Sequence, residues 1–133
     1  MLRLEIVTPE RRVVDIEAES VTVPTASGEA GILTSHAPLI SALKPGVLTY
    51  VAKGGAEKLA VSSGFVEVSS NQVSVLTDVA ESAEEVDVEQ ARADREEAEK
   101  ELTANSAAAA EENESVRDRL ELANARLSLA ANR

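Results

Sequence analysis

The chain has 133 residues, a formal net charge of −11, no cysteine, a single histidine and only two aromatics, Tyr50 and Phe65. These numbers exclude a disulfide framework, a thiolate metal site and a thiol nucleophile. They also argue against nucleic acid, which calls for clustered Lys and Arg and for aromatics that stack on bases.

The N-terminal Met1-Leu2-Arg3-Leu4-Glu5-Ile6 lacks the basic-then-apolar order of a secretory signal, and no Arg- and Ser-rich transit peptide is visible. No apolar run approaches the roughly 18–20 residues of a membrane span, so no direct membrane insertion is expected. Period-2 patterning then predicts strands at Leu2, Leu4 and Ile6, at 12–17, at Val21 and Val23, and at 47–53, 57–62, 65–69 and 72–77. Turn signals separate them: Ser27-Gly28, Pro45-Gly46, Gly54-Gly55, Ser63-Gly64 and Ser70-Asn71. Many short strands at this spacing predict an antiparallel sandwich or barrel. Its core must come from Val, Leu, Ile and Ala, and each well-buried large aliphatic contributes roughly 1.5–3 kcal/mol.

Near residue 82 the chain changes character. All six glycines and all four prolines lie in residues 1–80, where six basic and nine acidic side chains leave −3. Residues 81–133 have seven basic and fifteen acidic side chains, −8, and the run Ala107-Ala108-Ala109-Ala110. Ala, Glu and Arg favour helix. The fold class expected is α+β, with a β-sandwich over 1–82 and a helix–turn–helix over 83–133. Asp87 followed by Gln90 reads as a helix start, Asp capping a free N–H and Gln reaching back. Ala91, Ala98 and Leu102 share a face with Arg95, Thr103-Ala104-Asn105-Ser106 reads as a turn, and Val116, Leu120, Ala123, Leu127 and Ala130 form the second helix's stripe.

Chemistry is scarce. His36 has no Ser, Cys or acid at a recognised catalytic spacing, so it reads as a loop residue or a partner contact. Gly28-Glu29-Ala30-Gly31 lacks the lysine of a phosphate loop and reads as a β-turn. Glu84-Glu85, Glu96-Glu97 and Glu111-Glu112 are neighbours about 100° apart on a helix, so they read as solvated faces rather than metal sites.

One stretch is far more specific. The segment from Val23-Pro24-Thr25-Ala26-Ser27-Gly28-Glu29-Ala30-Gly31 through Ile32-Leu33-Thr34-Ser35-His36-Ala37-Pro38-Leu39-Ile40 resembles the epsilon subunit of F-type ATP synthases. Val7-Thr8-Pro9-Glu10, Leu43-Lys44-Pro45-Gly46, Ser63-Gly64-Phe65-Val66-Glu67-Val68 and the segment 73–81 accompany it in the family's order. The resemblance implies a ten-stranded sandwich and a C-terminal hairpin. It implies a non-catalytic central-stalk subunit that couples the gamma subunit to the c ring. It also implies a hairpin that restrains ATP hydrolysis through the alpha and beta subunits. Gly28, Glu29, Gly31 and His36 correspond to the c-ring and gamma contact, and Asp87, Ala91, Arg117, Arg119 and Arg126 to the regulatory hairpin.

The chain also departs from the family. Ser63-Gly64 stands where members often have Gly-Gly, so that turn is expected to be built differently. Some bacterial members bind ATP through Ile-Asp-x-x-Arg-Ala, whereas this chain has Val86-Asp87-Val88-Glu89-Gln90-Ala91. Arg126 is kept, but Leu122 stands at a neighbouring arginine position. With bidentate donors lost, weak or absent ATP binding is expected and no other cofactor. The expected place is peripheral, on the cytoplasmic face of a bacterial inner membrane rather than the thylakoid's stromal face. Two other classes stay open: a stand-alone acidic adaptor of another complex, and a small enzyme built on His36.

Overall fold

A computed structural model describes residues 1–35, 37–105 and 110–132, with the side chains of 110–112 left aside. Ten strands come first: β1 (Leu2–Val7), β2 (Arg12–Ala18), β3 (Ser20–Thr25), β4 (Gly28–Leu33), β5 (Leu39–Leu43), β6 (Gly46–Ala52), β7 (Gly55–Val61), β8 (Gly64–Ser69), β9 (Gln72–Thr77) and β10 (Ala80–Glu81). A 3₁₀ turn, Ala83–Glu85, leads into α1 (Val88–Ala104) and α2 (Ala110–Ala131).

The strands form one hydrogen-bonded sheet in the order β10-β7-β6-β3-β5-β8-β9-β1-β2, with β4 attached to β3. The sheet folds over into two layers at β3. That strand pairs with β6 through Ser20, Val21 and Thr22, then with β5 through Thr25 alone. Pro24 sits at this change of partner, where a residue without an N–H costs no ladder bond. Apart from one parallel pair, β1 on β9, the neighbours run antiparallel.

The period-2 pattern is what closes the core. Leu2, Leu4, Ile6, Val21, Val23, Leu48, Val66, Val68, Val73 and Val75 are all essentially inaccessible to solvent. Tyr50 is the one aromatic in this core; burial, with the charge of Glu57 opposite it, pushes its phenol pKa up. Thr77 is buried too, and its hydroxyl lies 2.8 Å from the Ser62 hydroxyl and 3.0 Å from the Ser62 carbonyl, tying the β9 end to the β7–β8 turn.

Two turn expectations change. The strand β4 occupies residues read as a turn: only Ala26 and Ser27 turn, and Gly28 follows at φ +109°, a conformation that suits glycine. At Ser63-Gly64 neither residue has positive φ, so serine fits without strain. Gly64 is needed for a different reason. A Cβ there would sit 1.9 Å from the Leu76 carbonyl oxygen on the neighbouring strand.

The helices run antiparallel. Arg126 faces Asp94 near the sandwich and Arg119 pairs with Glu101 further out. Asp87 caps α1 by accepting from the Gln90 N–H at 3.1 Å. Gln90 does not reach back, and its amide donates to Asp94 at 2.9 Å instead. The reciprocal capping box lies one turn earlier, between Ser82 and Glu85. The two helices bury small residues: Ala91 and Ala98 from α1, Val116 and Ala123 from α2. Arg95 is exposed and pairs with Glu99, leaving Asp94 on the inner side. A second face of α2, absent from the expected stripe, puts Ala125 and Leu129 against Ala60 of β7 and Val86.

Candidate functional site

Strand register sorts the turns into two ends. Residues 8–11, 26–27, 44–45, 62–63 and 78–79 lie at one end of the sandwich; 19, 34–35, 53–54 and 70–71 lie at the other. The expected contact residues therefore do not share one end. From Gly28 to Leu33 the chain rises about 17 Å, so Gly28 and Ser35 sit at opposite ends. His36 lies outside the described residues.

On β4 the side chains alternate. Ile32 is buried, while Glu29, Gly31 and Leu33 are exposed. β4 pairs only with β3, so its other edge is open. Gly31 has an ordinary φ, and a Cβ on it would meet nothing within 4 Å. Nothing in the fold asks for glycine there, whereas Gly28 has a local conformational reason. Leu33, 62% exposed, joins this face and was not expected from the sequence.

The sequence also did not reveal a second surface. Ala42, Phe65, Leu76 and Val7 are register partners in one row across β5, β8, β9 and β1. Phe65 is 61% and Leu76 53% exposed, beside a shallow hollow of about 440 Å³ that also touches Thr8, Pro9 and Asp78. Ile40, on β5, is 75% exposed. An exposed aromatic within an apolar row, in a chain with only two aromatics, is a contact feature. The signal available was Phe65 itself, since alternation with the buried Val66 and Val68 sends it outward. Beyond the row the surface turns ionic, with Arg3 on Asp15 and Arg12 on both Glu5 and Asp15.

The third feature is the seam between hairpin and sandwich. Its apolar part is small: Ala60, Val86, Ala125 and Leu129, flanked by Val47, Ala83, Val88 and Ala130. Two ion pairs border it. Arg11 reaches Glu85 at 3.2 Å, and Arg126 reaches Glu81 at 2.5 Å. Hydrogen bonds from Ser82, with Arg11 adding to them, hold the Glu85 carboxyl below its ordinary pKa. Of the expected hairpin residues, Ala91 is a packing contact and Asp87 a cap. Arg119 is engaged by Glu101 and Arg126 by Glu81, while Arg117 is exposed. The structure does not gather them into one site. No group of three or more His, Asp or Glu among the described residues suits a metal ion.

The family model described as ATP synthase, Delta/Epsilon chain, beta-sandwich domain matches residues 1–83. The ATP synthase epsilon chain of Desulfitobacterium hafniense (strain Y51) is 52% identical over 100 residues, 75% of this chain and 76% of that one. That of Carboxydothermus hydrogenoformans is 50% identical over 91 residues, 68% of each. A chain in the cryo-EM structure of the Euglena gracilis mitochondrial ATP synthase, comprising OSCP, F1 and c-ring, superposes with a TM-score of 0.77 at 25% identity. That match spans 98% of this chain and 81% of the other, so it takes in the helices.

Proposed function

Because the chain belongs to the delta/epsilon family of ATP synthase subunits, as its epsilon chains do, we propose that it couples the gamma subunit to the c ring through its sandwich. It is a central-stalk subunit and not one of the enzyme's catalytic chains. The rotor role needs surfaces rather than a reaction centre, and the residues present fit that need. The apolar row of Ala42, Phe65, Leu76 and the half-buried Val7 carries this reading. Left in water it is unfavourable, and burying it against a partner contributes about 25 cal/mol per Å². The Glu29-Gly31-Leu33 face of β4 adds a second area, on which Gly31 permits close backbone approach. His36 belongs with these contacts by its place in the family's sequence.

The hairpin is the regulatory part of the proposal. Residues 83–133 form a unit separable from 1–82, joined by a small seam. They restrain ATP hydrolysis by meeting the alpha and beta subunits through Arg117, Arg119 and Arg126. ATP binds the hairpin weakly or not at all. Arg126 is already matched by Glu81, with Asp94 nearby, while Gln90 and Leu122 supply no further guanidinium. Isothermal titration of the chain with ATP checks this, and a micromolar dissociation constant would rule it out. Among the described residues no helix is long and apolar enough to cross a membrane. A peripheral position on the cytoplasmic face of a bacterial inner membrane follows from the partners.

The test is assembly. Phe65→Asp and Gly31→Leu should each leave the isolated chain folded and reduce its co-purification with gamma and the c ring. Normal recovery of both partners with both variants would sink the assignment of these surfaces. Comparison of hydrolysis with and without residues 88–133 tests the hairpin's restraint.

A further inference from the structure

Arg126 sits at an unusual junction. It lies on α2, only 20% exposed, and its Nε donates to Oε1 of Glu81 on β10 at 2.5 Å. Its Nη1 lies 4.0 Å from Oδ2 of Asp94 on α1. The other oxygen of Asp94 is held by the Gln90 amide at 2.9 Å. One guanidinium, carried by the second helix, therefore faces two carboxylates, one from the last strand and one from the first helix.

The two carboxylates are not equivalent. Asp94 belongs to the hairpin and travels with it. Glu81 belongs to the sandwich. If the hairpin swings away about residues 82–87, the Arg126–Asp94 contact survives and the Arg126–Glu81 bond must break. The pair thus reports and resists one event, detachment of the hairpin as an intact unit. Its setting gives it weight. The pair is half-sheltered, unlike the exposed ion pairs along α1, which contribute little. The apolar seam beside it holds two alanines, one valine and one leucine at its centre, so a charge-assisted hydrogen bond is a sizeable share of what keeps the hairpin docked.

We propose that Arg126–Glu81 is the latch of the docked hairpin, and that it masks Arg126 from any acidic partner until it opens. Docking on the sandwich and contact with an acidic segment of a neighbouring subunit then compete for one guanidinium. The second half of this statement rests on the proposed restraint of hydrolysis by the hairpin; the first does not. The competition makes opposite predictions for its two members. Losing Glu81 frees Arg126 with its charge intact and strengthens restraint. Losing Arg126 frees the hairpin but removes the charge that would act, and weakens restraint.

The chain has no cysteine, so spin labels can be placed cleanly at Lys58→Cys on β7 and Ser128→Cys on α2 in the full-length protein. In the parent, one short inter-label distance is expected. Glu81→Gln and Arg126→Gln should each raise the long-distance population by roughly tenfold, with the double variant no further along than either single one. Asp94→Asn should raise it less. A Glu81→Gln distribution identical to the parent's overturns the latch, provided hydrogen exchange shows the sandwich intact. So does a double variant whose effect is the sum of the two. In the assembled ATP synthase, Glu81→Gln should lower hydrolysis and Arg126→Gln raise it towards the rate without residues 88–133. If removal of 88–133 leaves hydrolysis unchanged, restraint by the hairpin fails while the distance measurement still decides the latch. If removal raises hydrolysis but Glu81→Gln and Arg126→Gln move it the same way, the competition is overturned.

Discussion

Leu129→Ala separates the docking of the hairpin from the stability of the sandwich. Leu129 is 6% exposed and meets Ala60, Val86 and Ala125 rather than the main core. The substitution removes three carbons. At about 0.8 kcal/mol per buried methylene the transfer loss is about 2.4 kcal/mol. A cavity would add to it in a closed core, but a seam between two units relaxes or opens instead, so about 2.5 kcal/mol is the expected weakening. At roughly 1.4 kcal/mol per tenfold, the docked state loses about sixtyfold against the open one. The assay is hydrogen exchange on the full chain. Amides of α2 and of the 3₁₀ turn at Ala83–Glu85 should lose protection, while β1, β8 and β9, whose apolar contacts lie in the other cluster, keep theirs. Unchanged exchange in α2 would refute the assignment of Leu129 to the seam. Equal loss of protection in β1 and β9 would refute the idea that seam and core are energetically distinct.

Gly64→Ala should destabilise the sandwich by about 3 kcal/mol or more. The clash is with a backbone carbonyl that no rotamer change relieves, and urea unfolding measures it. Thr77→Val keeps the shape but strips the hydroxyl from its contacts with Ser62, so about 1–3 kcal/mol should be lost, read from the same curves. The pKa of Glu85 is lowered in the folded chain, so its contribution is present above the ordinary value of 4.5 and disappears as pH falls through the lower folded pKa. Glu85→Gln should therefore flatten the acid limb of the stability profile and leave the slope near neutrality unchanged; an unaltered acid limb would count against the assignment.

The sandwich was legible wherever strands alternate. Leu2, Leu4 and Ile6, or Val66 and Val68, carry the period-2 signal because one face meets the core and the other meets water. β4 and β5 were not legible from pattern alone. β4 holds two glycines in six residues, and exposed apolar residues, Leu33 and Ile40, blur the alternation in both. The same exposure is why the partner surface was invisible: an outward Leu76 looks like a core residue until its neighbours are known. For α2 the expected stripe found the face towards α1 and, of the seam, only its flanking Ala130. Ala125 and Leu129 face the sandwich, and a helix packed on two sides has no single stripe to find. Arg119 and Arg126 stood out in the sequence as hairpin cations, but the partners they have here, Glu101, Glu81 and Asp94, lie between 18 and 45 residues away, beyond any local rule.

The parallel pairing of β1 with β9, Arg3 with Gln72 through Val7 with Leu76, governs the order in which the chain acquires structure as it is made. At about 5–20 residues per second, β1 waits roughly 4–14 s for its partner. Until then it has only β2 beside it, and a lone two-stranded hairpin is marginal in water. Its inner face of Leu2, Leu4 and Ile6 stays uncovered through that interval. The alternating Arg3 and Glu5 discourage another chain from adding to the open edge, as charges on edge strands do. Closure then comes late, when 72–77 emerge and join β8 and β1 together. The hairpin is synthesised after that, so α2 always meets a finished surface, and chains cut after residue 81 keep every strand while chains cut before residue 72 lose the one that locks the first in place.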